Sequence, residues 1–207
     1  MIENKENNGK NENTKNNEYI EIKMDNLGDT LKTLKAGDKI LLSGTIYSAR
    51  DAAHVKIIAD IESGKGAPFQ LENAGIYYAG PCPAKPGKIV GPYGPTTSGR
   101  MDKYAAYLLD RGIKIMIGKG DRTPDVIESM KKNGAVYFAA IGGAGAAIAE
   151  IIKKQEMIAY PELGAEAIYK LTVEEFPLIV AIDSYGGNIY STEPKKFEGV
   201  YSKNINR

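Results

Sequence analysis

Three short segments of the chain place cationic or hydroxyl side chains beside residues that commonly begin helices or tight turns. Arg50 precedes an amphipathic stretch, Thr96-Thr97-Ser98-Gly99-Arg100 offers three hydroxyls and a guanidinium, and Lys119 stands between two glycines. Arg can hold a carboxylate through two parallel hydrogen bonds, whereas Lys supplies a compact charge. Helix N-termini add free backbone N–H groups that attract anions. If the three segments meet, they form a pocket for a small dianion.

Each segment also has an ordinary structural interpretation. A single Arg before a helix is commonly a solvated surface charge, and Thr or Ser before a helix commonly caps it. A Gly-Lys-Gly sequence is commonly only a turn. Composition and spacing therefore indicate an anion pocket without establishing one.

His54 is the only histidine of the sequence. Its ordinary pKa suits proton transfer near neutral pH, and a position near a helix N-terminus favours the neutral form. Two roles stay open: direct proton transfer, or a hydrogen bond that positions Arg50 or Thr96. Asp51 is most simply the N-cap of the helix that follows Arg50.

Length and composition restrict the class of protein. The chain has 207 residues, a formal charge of +1 and 43% hydrophobic residues, which fits one globular domain. We expect neither a nucleic-acid nor a membrane partner, because the chain has no basic excess and no apolar run of about 20 residues. A single cysteine, Cys82, permits no internal disulfide and favours a reducing, cytoplasmic location.

Residues 1–18 are polar and rich in Asn, Lys and Glu. Such a segment buries too little apolar surface to offset chain entropy, so the sequence predicts a disordered tail. The folded domain is expected to span residues 19–207.

Hydrophobic patterns predict strands that alternate with helices, and therefore an α/β domain. Ala52, Val55, Ile58 and Ile61 are spaced as the buried face of a helix after Asp51. Turns and strand edges are expected over residues 69–86, and a turn over 184–187. The predicted strands are 19–24, 39–47, 88–90, 113–117, 135–141, 176–183 and 188–190. The other predicted helices are 101–110, 124–133 and 146–154.

Two nucleotide-binding patterns fit poorly. Gly143-Ala144-Gly145 follows a predicted strand, but the third glycine of the dinucleotide fingerprint falls at Ile148. Gly112 and Gly118-Lys119 have the wrong spacing for a phosphate-binding loop, and Gly120 replaces the required Ser or Thr.

Several blocks, in this order and spacing, resemble the β region of class I iron–sulfur fumarases and L-tartrate dehydratases. The most specific is Gly94-Pro95-Thr96-Thr97-Ser98-Gly99-Arg100-Met101-Asp102, and the resemblance covers residues 27–190. The other blocks are Arg50-Asp51-Ala52-Ala53-His54, Tyr78-Ala79-Gly80-Pro81, Gly118-Lys119-Gly120, Gly142-Gly143-Ala144-Gly145-Ala146-Ala147, Glu166-Ala167-Ile168, Phe176-Pro177 and Asp183.

The resemblance implies a mixed, three-layer swivelling β/β/α domain and reversible loss of water from a 2-hydroxy dicarboxylate. A [4Fe–4S] cluster with an open iron serves this reaction in the family, and such a cluster needs about three cysteines. This chain has one cysteine and is expected to hold no metal. The resemblance therefore implies a cysteine-bearing α subunit that holds the cluster, and a dimer of αβ pairs.

Residue by residue, the resemblance makes Arg50, Arg100 and Lys119 carboxylate-binding cations. It makes Thr96 the candidate catalytic base, and His54 stays a second candidate. Thr97, Ser98 and Gly99 are expected to line the same loop and bind substrate. Fumarate/malate is the expected substrate pair; tartrate dehydration and a non-enzymatic dicarboxylate-binding module are the alternatives.

Overall fold

A computed structural model of the protein describes residues 19–201, with the side chains of the last helix described up to Lys195. The described part contains a seven-stranded mixed sheet with helices packed on it, so the predicted α/β class is confirmed. The predicted tail, residues 1–18, lies outside the described residues. The strands are β1 (Ile20–Lys23), β2 (Lys39–Ser48), β3 (Gly75–Tyr77), β4 (Ile115–Gly118), β5 (Val136–Ala139), β6 (Ile152–Ala159) and β7 (Ile168–Ile182).

The strand pairings form a closed circuit. Strands β1 to β5 lie parallel in chain order, and β7 pairs antiparallel with both β5 and β2, which joins the two sides of the sheet. Strand β6 continues the sheet beyond the first half of β7. Parallel neighbours need long crossover connections, which here carry the helices. Apolar residues fill the inside of the circuit, among them Leu42, Ile117 and Val180.

Four helices cover the other face of the sheet, where a second apolar cluster includes Ile57, Leu108 and Met130, whereas Leu31 and Ile148 of two further helices pack with the first cluster. The helices are α1 (Thr30–Thr33), α2 (Asp51–Glu62), α3 (Asp102–Leu109), α4 (Pro124–Asn133), α5 (Gly145–Ile151) and α6 (Ile189–Tyr201), with 3₁₀ helices at Met24–Asn26, Ser98–Met101 and Pro161–Glu166. Within residues 19–201, no helix has the length and apolar character needed to cross a membrane.

The parallel strands bring the candidate segments to one edge of the sheet. Strand β2 ends two residues before Arg50, and β4 ends immediately before Lys119. Parallel neighbours present their carboxyl ends on the same side, so the loops that follow β2 and β4 lie at one edge. The 3₁₀ helix Ser98–Met101 joins this edge through a bridge between Thr97 and Lys119.

Helix α2 is present where the sequence predicts it, but two details were wrong. Its N-cap is Arg50, in extended backbone, and Asp51 is the first helical residue. The buried face contains Ala53, His54 and Ile57, whereas Val55 is 51% exposed. The sequence does not distinguish the two faces of this helix, because Ile57 lies on the buried face, Ile58 on the predicted one, and both are equally apolar.

The prediction for residues 146–154 was wrong in its second half. Helix α5 ends at Ile151, and the chain enters β6 at Ile152 without a turn residue. Antiparallel pairing with β7 overrides the helical pattern there. The predicted strand at 88–90 was also wrong, because those residues form irregular structure.

The C-terminal part differs from the prediction in two ways. Strand β7 begins at Ile168, eight residues earlier than predicted, because its first half pairs with β6. The predicted strand at 188–190 is one bridging residue followed by helix α6. The Asn188 side chain accepts a hydrogen bond from the Tyr190 amide at 2.8 Å, and its carbonyl accepts one from the Ser191 amide, so Asn188 starts a helix instead.

Candidate anion-binding site

Arg50 lies between β2 and α2 and is held by a distant carboxylate. One Nη atom of Arg50 is 3.3 Å from Glu166 Oε1, and both side chains are about three-quarters buried. The other oxygen, Oε2, accepts a hydrogen bond from the Ala52 amide at 3.1 Å, so Glu166 also supplies the cap that helix α2 lacks locally. A Cβ at Gly80 would collide with the Ala165 carbonyl, and glycine there lets this loop approach.

Arg100 joins two neighbouring segments of the site. Its Nη2 donates a short hydrogen bond to Thr96 Oγ1. The same atom is 3.4 Å from Asp51 Oδ2, which is an ion pair without hydrogen-bond geometry. The Thr96 amide donates to the Tyr78 carbonyl at 2.7 Å, which fixes the loop against the end of β3. A guanidinium beside a threonine hydroxyl favours the deprotonated oxygen electrostatically.

The Lys119 backbone pairs with the same loop. The Ser98 amide donates to the Lys119 carbonyl at 2.9 Å, and Thr97 forms a parallel bridge with Lys119. The side chains of Thr97 and Lys119 are exposed, as is Gly99. No hydrogen bond or ion pair is found for the Lys119 ammonium within residues 19–201, so its charge faces solvent.

Ser98 points inward and supports the loop from below. It is fully buried, and its hydroxyl bonds the Tyr137 hydroxyl at 2.8 Å, which in turn donates to the Gly120 carbonyl at 2.9 Å. A Cβ at Gly118 would collide with Ser98 Oγ, so the close approach of the two segments requires glycine. The sequence prediction that Ser98 binds substrate directly does not fit this inward orientation.

His54 lies beneath the site and is fully buried between Tyr78 and Tyr104. Its Nδ1 is 2.8 Å from the Arg50 carbonyl oxygen. A carbonyl only accepts, so Nδ1 carries the proton and Nε2 is bare. Burial lowers the pKa of His54 to about 4, the bond to Arg50 opposes this, and the nearby Arg122 charge adds to the lowering. The imidazole is therefore neutral at pH 7.

Three residues of this region were not identified as site residues from the sequence. Glu166 was noted only within a resembling block, and Asp102 only as the end of the Arg100 block. Arg122, 4% exposed, was not singled out at all. Its position three residues after Lys119 is the only local signal, because a buried arginine cannot be told from a surface one by residue type.

Within residues 19–201, neither a metal-binding cluster nor a cationic lining is found at the cavity beside β3. Among residues 19–201, no group of three or more His, Cys, Asp or Glu side chains could hold a metal ion, and Cys82 is exposed. A cavity of about 570 Å³ lies by the amino end of β3, but Asp25 and Glu72 line it without any Lys or Arg. Its charge does not suit a dianion.

The fold and the site define an α/β domain that presents three cations and a threonine at one sheet edge. The Fumarase C-terminus family model matches residues 2–193. The chain belongs to this family.

Relatives of two lengths match the chain. It is 38% identical to "Fumarate hydratase 2" of Leishmania major over 170 residues, and 39% identical to "Fumarate hydratase class I, aerobic" of Salmonella typhimurium over 169. Each match covers 81% of this chain, which spans only about 30% of the length of these relatives. "Putative L(+)-tartrate dehydratase subunit beta" of Methanocaldococcus jannaschii is 40% identical over 179 residues, 84% of this chain and 90% of that protein.

Proposed function

We propose that this chain is the β subunit of an iron–sulfur hydro-lyase that hydrates fumarate reversibly to (S)-malate. The observation that carries the proposal is the contiguous arrangement of Arg50, Arg100, Thr96 and Lys119 at the carboxyl ends of β2 and β4. The family relationship and the fumarate hydratase names of several relatives support it. The expected swivelling β/β/α arrangement, the domain bounds 19–207 and the cytoplasmic location stay part of the proposal.

The residues of this chain do not fit a [4Fe–4S] cluster. Cys82 is its only cysteine, and a cluster takes about three cysteine ligands. We therefore assign the cluster to a cysteine-bearing α subunit, and the assembly to a dimer of αβ pairs. The β-subunit name of the tartrate dehydratase relative supports a two-chain arrangement. In this proposal the β subunit contributes substrate binding and proton transfer only.

Arg50, Arg100 and Lys119 bind the two carboxylates of the substrate. Guanidinium groups hold carboxylates bidentately, and the Lys119 ammonium adds a charge that no protein carboxylate neutralises within the described residues. Substrate binding at Arg50 must compete with Glu166, whose Oε1 is 3.3 Å from one Nη atom of Arg50. Thr97 and Gly99 line the same exposed loop.

Thr96 removes the proton beside the carboxylate of malate, and returns it in the hydration direction. Its hydroxyl is a weak base at neutral pH, and the Arg100 hydrogen bond makes the alkoxide more accessible. His54 is buried and neutral, and its Nδ1–H donates a hydrogen bond to the Arg50 carbonyl. We assign His54 to holding the Arg50 backbone rather than to proton transfer.

Reconstitution tests this function. The chain is co-expressed with the cluster-bearing α subunit, purified without oxygen, and assayed on fumarate, malate and L-tartrate; each chain alone is the control. We expect fumarate hydration only in the complex. A complex with full iron and sulfide that acts only on tartrate would favour the alternative substrate, which the tartrate dehydratase relative supports. A complex that acts on none of the three compounds would instead favour the non-enzymatic dicarboxylate-binding module.

A further inference from the structure

A buried ion pair lies directly beneath the cation-bearing edge. Arg122 Nε donates to Asp102 Oδ1 at 2.7 Å, and the two side chains are 0% and 8% exposed. The second Asp102 oxygen accepts a hydrogen bond from the Thr123 amide at 2.7 Å. One carboxylate therefore holds both the side chain of Arg122 and the backbone that follows it.

The pair connects the two segments that carry proposed substrate-binding cations. Asp102 begins α3, two residues after Arg100, and Arg122 follows Lys119 by three residues. Apart from the Thr97–Lys119 bridge and the Ser98 hydrogen bonds described above, this is the main polar link between them. Asp102 and Arg122 therefore hold the start of α3 against the chain just beyond Lys119.

The Arg122 guanidinium has a fixed orientation. Its carbon lies 5.3 Å from the centre of the Tyr78 ring and 5.1 Å from that of Tyr137, and Nη1 is 3.3 Å from Met116 Sδ. A planar guanidinium between aromatic rings cannot rotate freely, and a lysine would not reproduce the arrangement. Nη2 is buried and makes no hydrogen bond of good geometry within residues 19–201.

The effect on stability of replacing one or both residues of the Arg122–Asp102 pair can be distinguished from an effect on the geometry of the site. Burying two charges carries a desolvation penalty, and apolar side chains of similar volume often replace a buried ion pair without loss of stability. Removing one partner is different, because it leaves the other charge buried and uncompensated. Double replacement therefore removes the geometry of the pair without leaving an unpaired charge.

We propose that Asp102 and Arg122 are positioning residues that set the separation of Arg100 and Lys119, and thereby the fit of the site to a four-carbon dicarboxylate. The proposal rests on the proposed hydro-lyase function. Neither residue contacts substrate. Both act through the segments that they join.

The test compares Arg122→Met with the double variant Asp102→Leu/Arg122→Met, each in complex with the α subunit. We expect the single variant to lower Tm and the double variant to recover part of that loss, because Asp102→Leu also removes the acceptor of the Thr123 amide. Both should raise KM for malate at least tenfold, because the cations are misplaced. The control is Asp110→Leu/Lys132→Met, which removes the exposed 2.9 Å pair between α3 and α4 and should leave KM unchanged.

The KM effect distinguishes the outcomes. Instability alone reduces the fraction of active molecules, which lowers apparent kcat and leaves KM unchanged. A double variant with wild-type KM would overturn the proposal. If the double variant does not fold, Arg122→Lys decides: a KM increase with an unchanged cluster content supports positioning, and an unchanged KM contradicts it. Absence of activity in the wild-type complex would instead contradict the proposed function.

Discussion

The carboxyl edge of the sheet has two layers with opposite properties. The outer layer contains the partly buried Arg50 and Thr96, Arg100, whose side chain is 46% exposed, and the exposed Lys119. The inner layer contains His54, Ser98 and Arg122, all with less than 5% exposure. Both layers are polar, but only the outer one has charge that a ligand can reach.

This difference in exposure indicates that the two layers have different roles in the site. Outer side chains can exchange water for substrate carboxylates, whereas inner side chains have no solvent to exchange and are fixed by their partners. Substitutions of Thr96, Arg100 and Lys119 should therefore change binding or the chemical step with little effect on folding, whereas loss of Arg50 also breaks its ion pair with Glu166. Substitutions in the inner layer should change stability as well as geometry.

The largest effect in the outer layer is expected for Thr96→Val. The substitution keeps shape but removes the hydroxyl, so kcat of the complex should fall by about 10²- to 10⁴-fold, the usual contribution of a general base. Anaerobic assay with malate measures it. Thr33→Val is the control, because the exposed Thr33 hydroxyl bonds the Thr30 carbonyl within α1 and Thr33 is not a residue of the candidate site. Near-normal turnover in Thr96→Val together with loss of turnover in His54→Asn would reverse the two roles.

His54 should make the inner layer sensitive to acid. Its pKa is about 4 in the folded protein and about 6.5 when unfolded, so the unfolded state binds more protons between these values. The free energy of unfolding should fall as pH drops from 6.5 to 4, by about 3 kcal/mol from this residue. Urea unfolding at pH 7 and 4.5 should show a smaller decrease for His54→Gln. An equal decrease would show that His54 is not the source.

Arg100→Ala should have a smaller effect than Thr96→Val. Loss of a charge-assisted contact to a carboxylate is worth about 1.5–3 kcal/mol, a decrease in kcat/KM of about 10- to 100-fold. Arg100→Lys keeps the charge without the bidentate geometry and should lie between wild type and alanine. The exposed Arg111, whose Nη1 bonds the Tyr107 carbonyl, provides the matched Arg111→Ala control. Equal kcat/KM values for Arg100→Ala and Arg111→Ala would show that Arg100 does not bind the substrate.

The smallest effect is expected on deleting residues 1–18. Their Asn-, Lys- and Glu-rich sequence offers no apolar face for either layer. Tm and kcat/KM should change by less than the error of the measurement. A decrease in Tm of several degrees would show that this segment stabilises the domain.

The sequence predicts the outer layer better than the inner one. Arg50, Thr96, Arg100 and Lys119 stand in short motifs beside turns, and local patterns of that kind can be recognised without a structure. The Arg122–Asp102 pair spans 20 residues and depends on which residues the sheet buries.

The same reason explains the errors in the fold. Helix α4 was predicted correctly because Pro124 begins it and Gly134 ends it in the left-handed conformation, both local signals. Strand β6 was missed because its sequence is consistent with continuation of α5, and only pairing with distant β7 makes it extended.

The central claim is that the outer layer of this chain is the dicarboxylate-binding half of a two-chain hydro-lyase site. The most direct test is kcat/KM for malate in the reconstituted complex carrying Arg50→Ala, Arg100→Ala and Lys119→Ala together. Arg111→Ala with Lys132→Ala and Lys153→Ala, all surface cations, is the control. We predict a loss of at least about a thousandfold with unchanged iron content. Values within threefold of the control would contradict the claim.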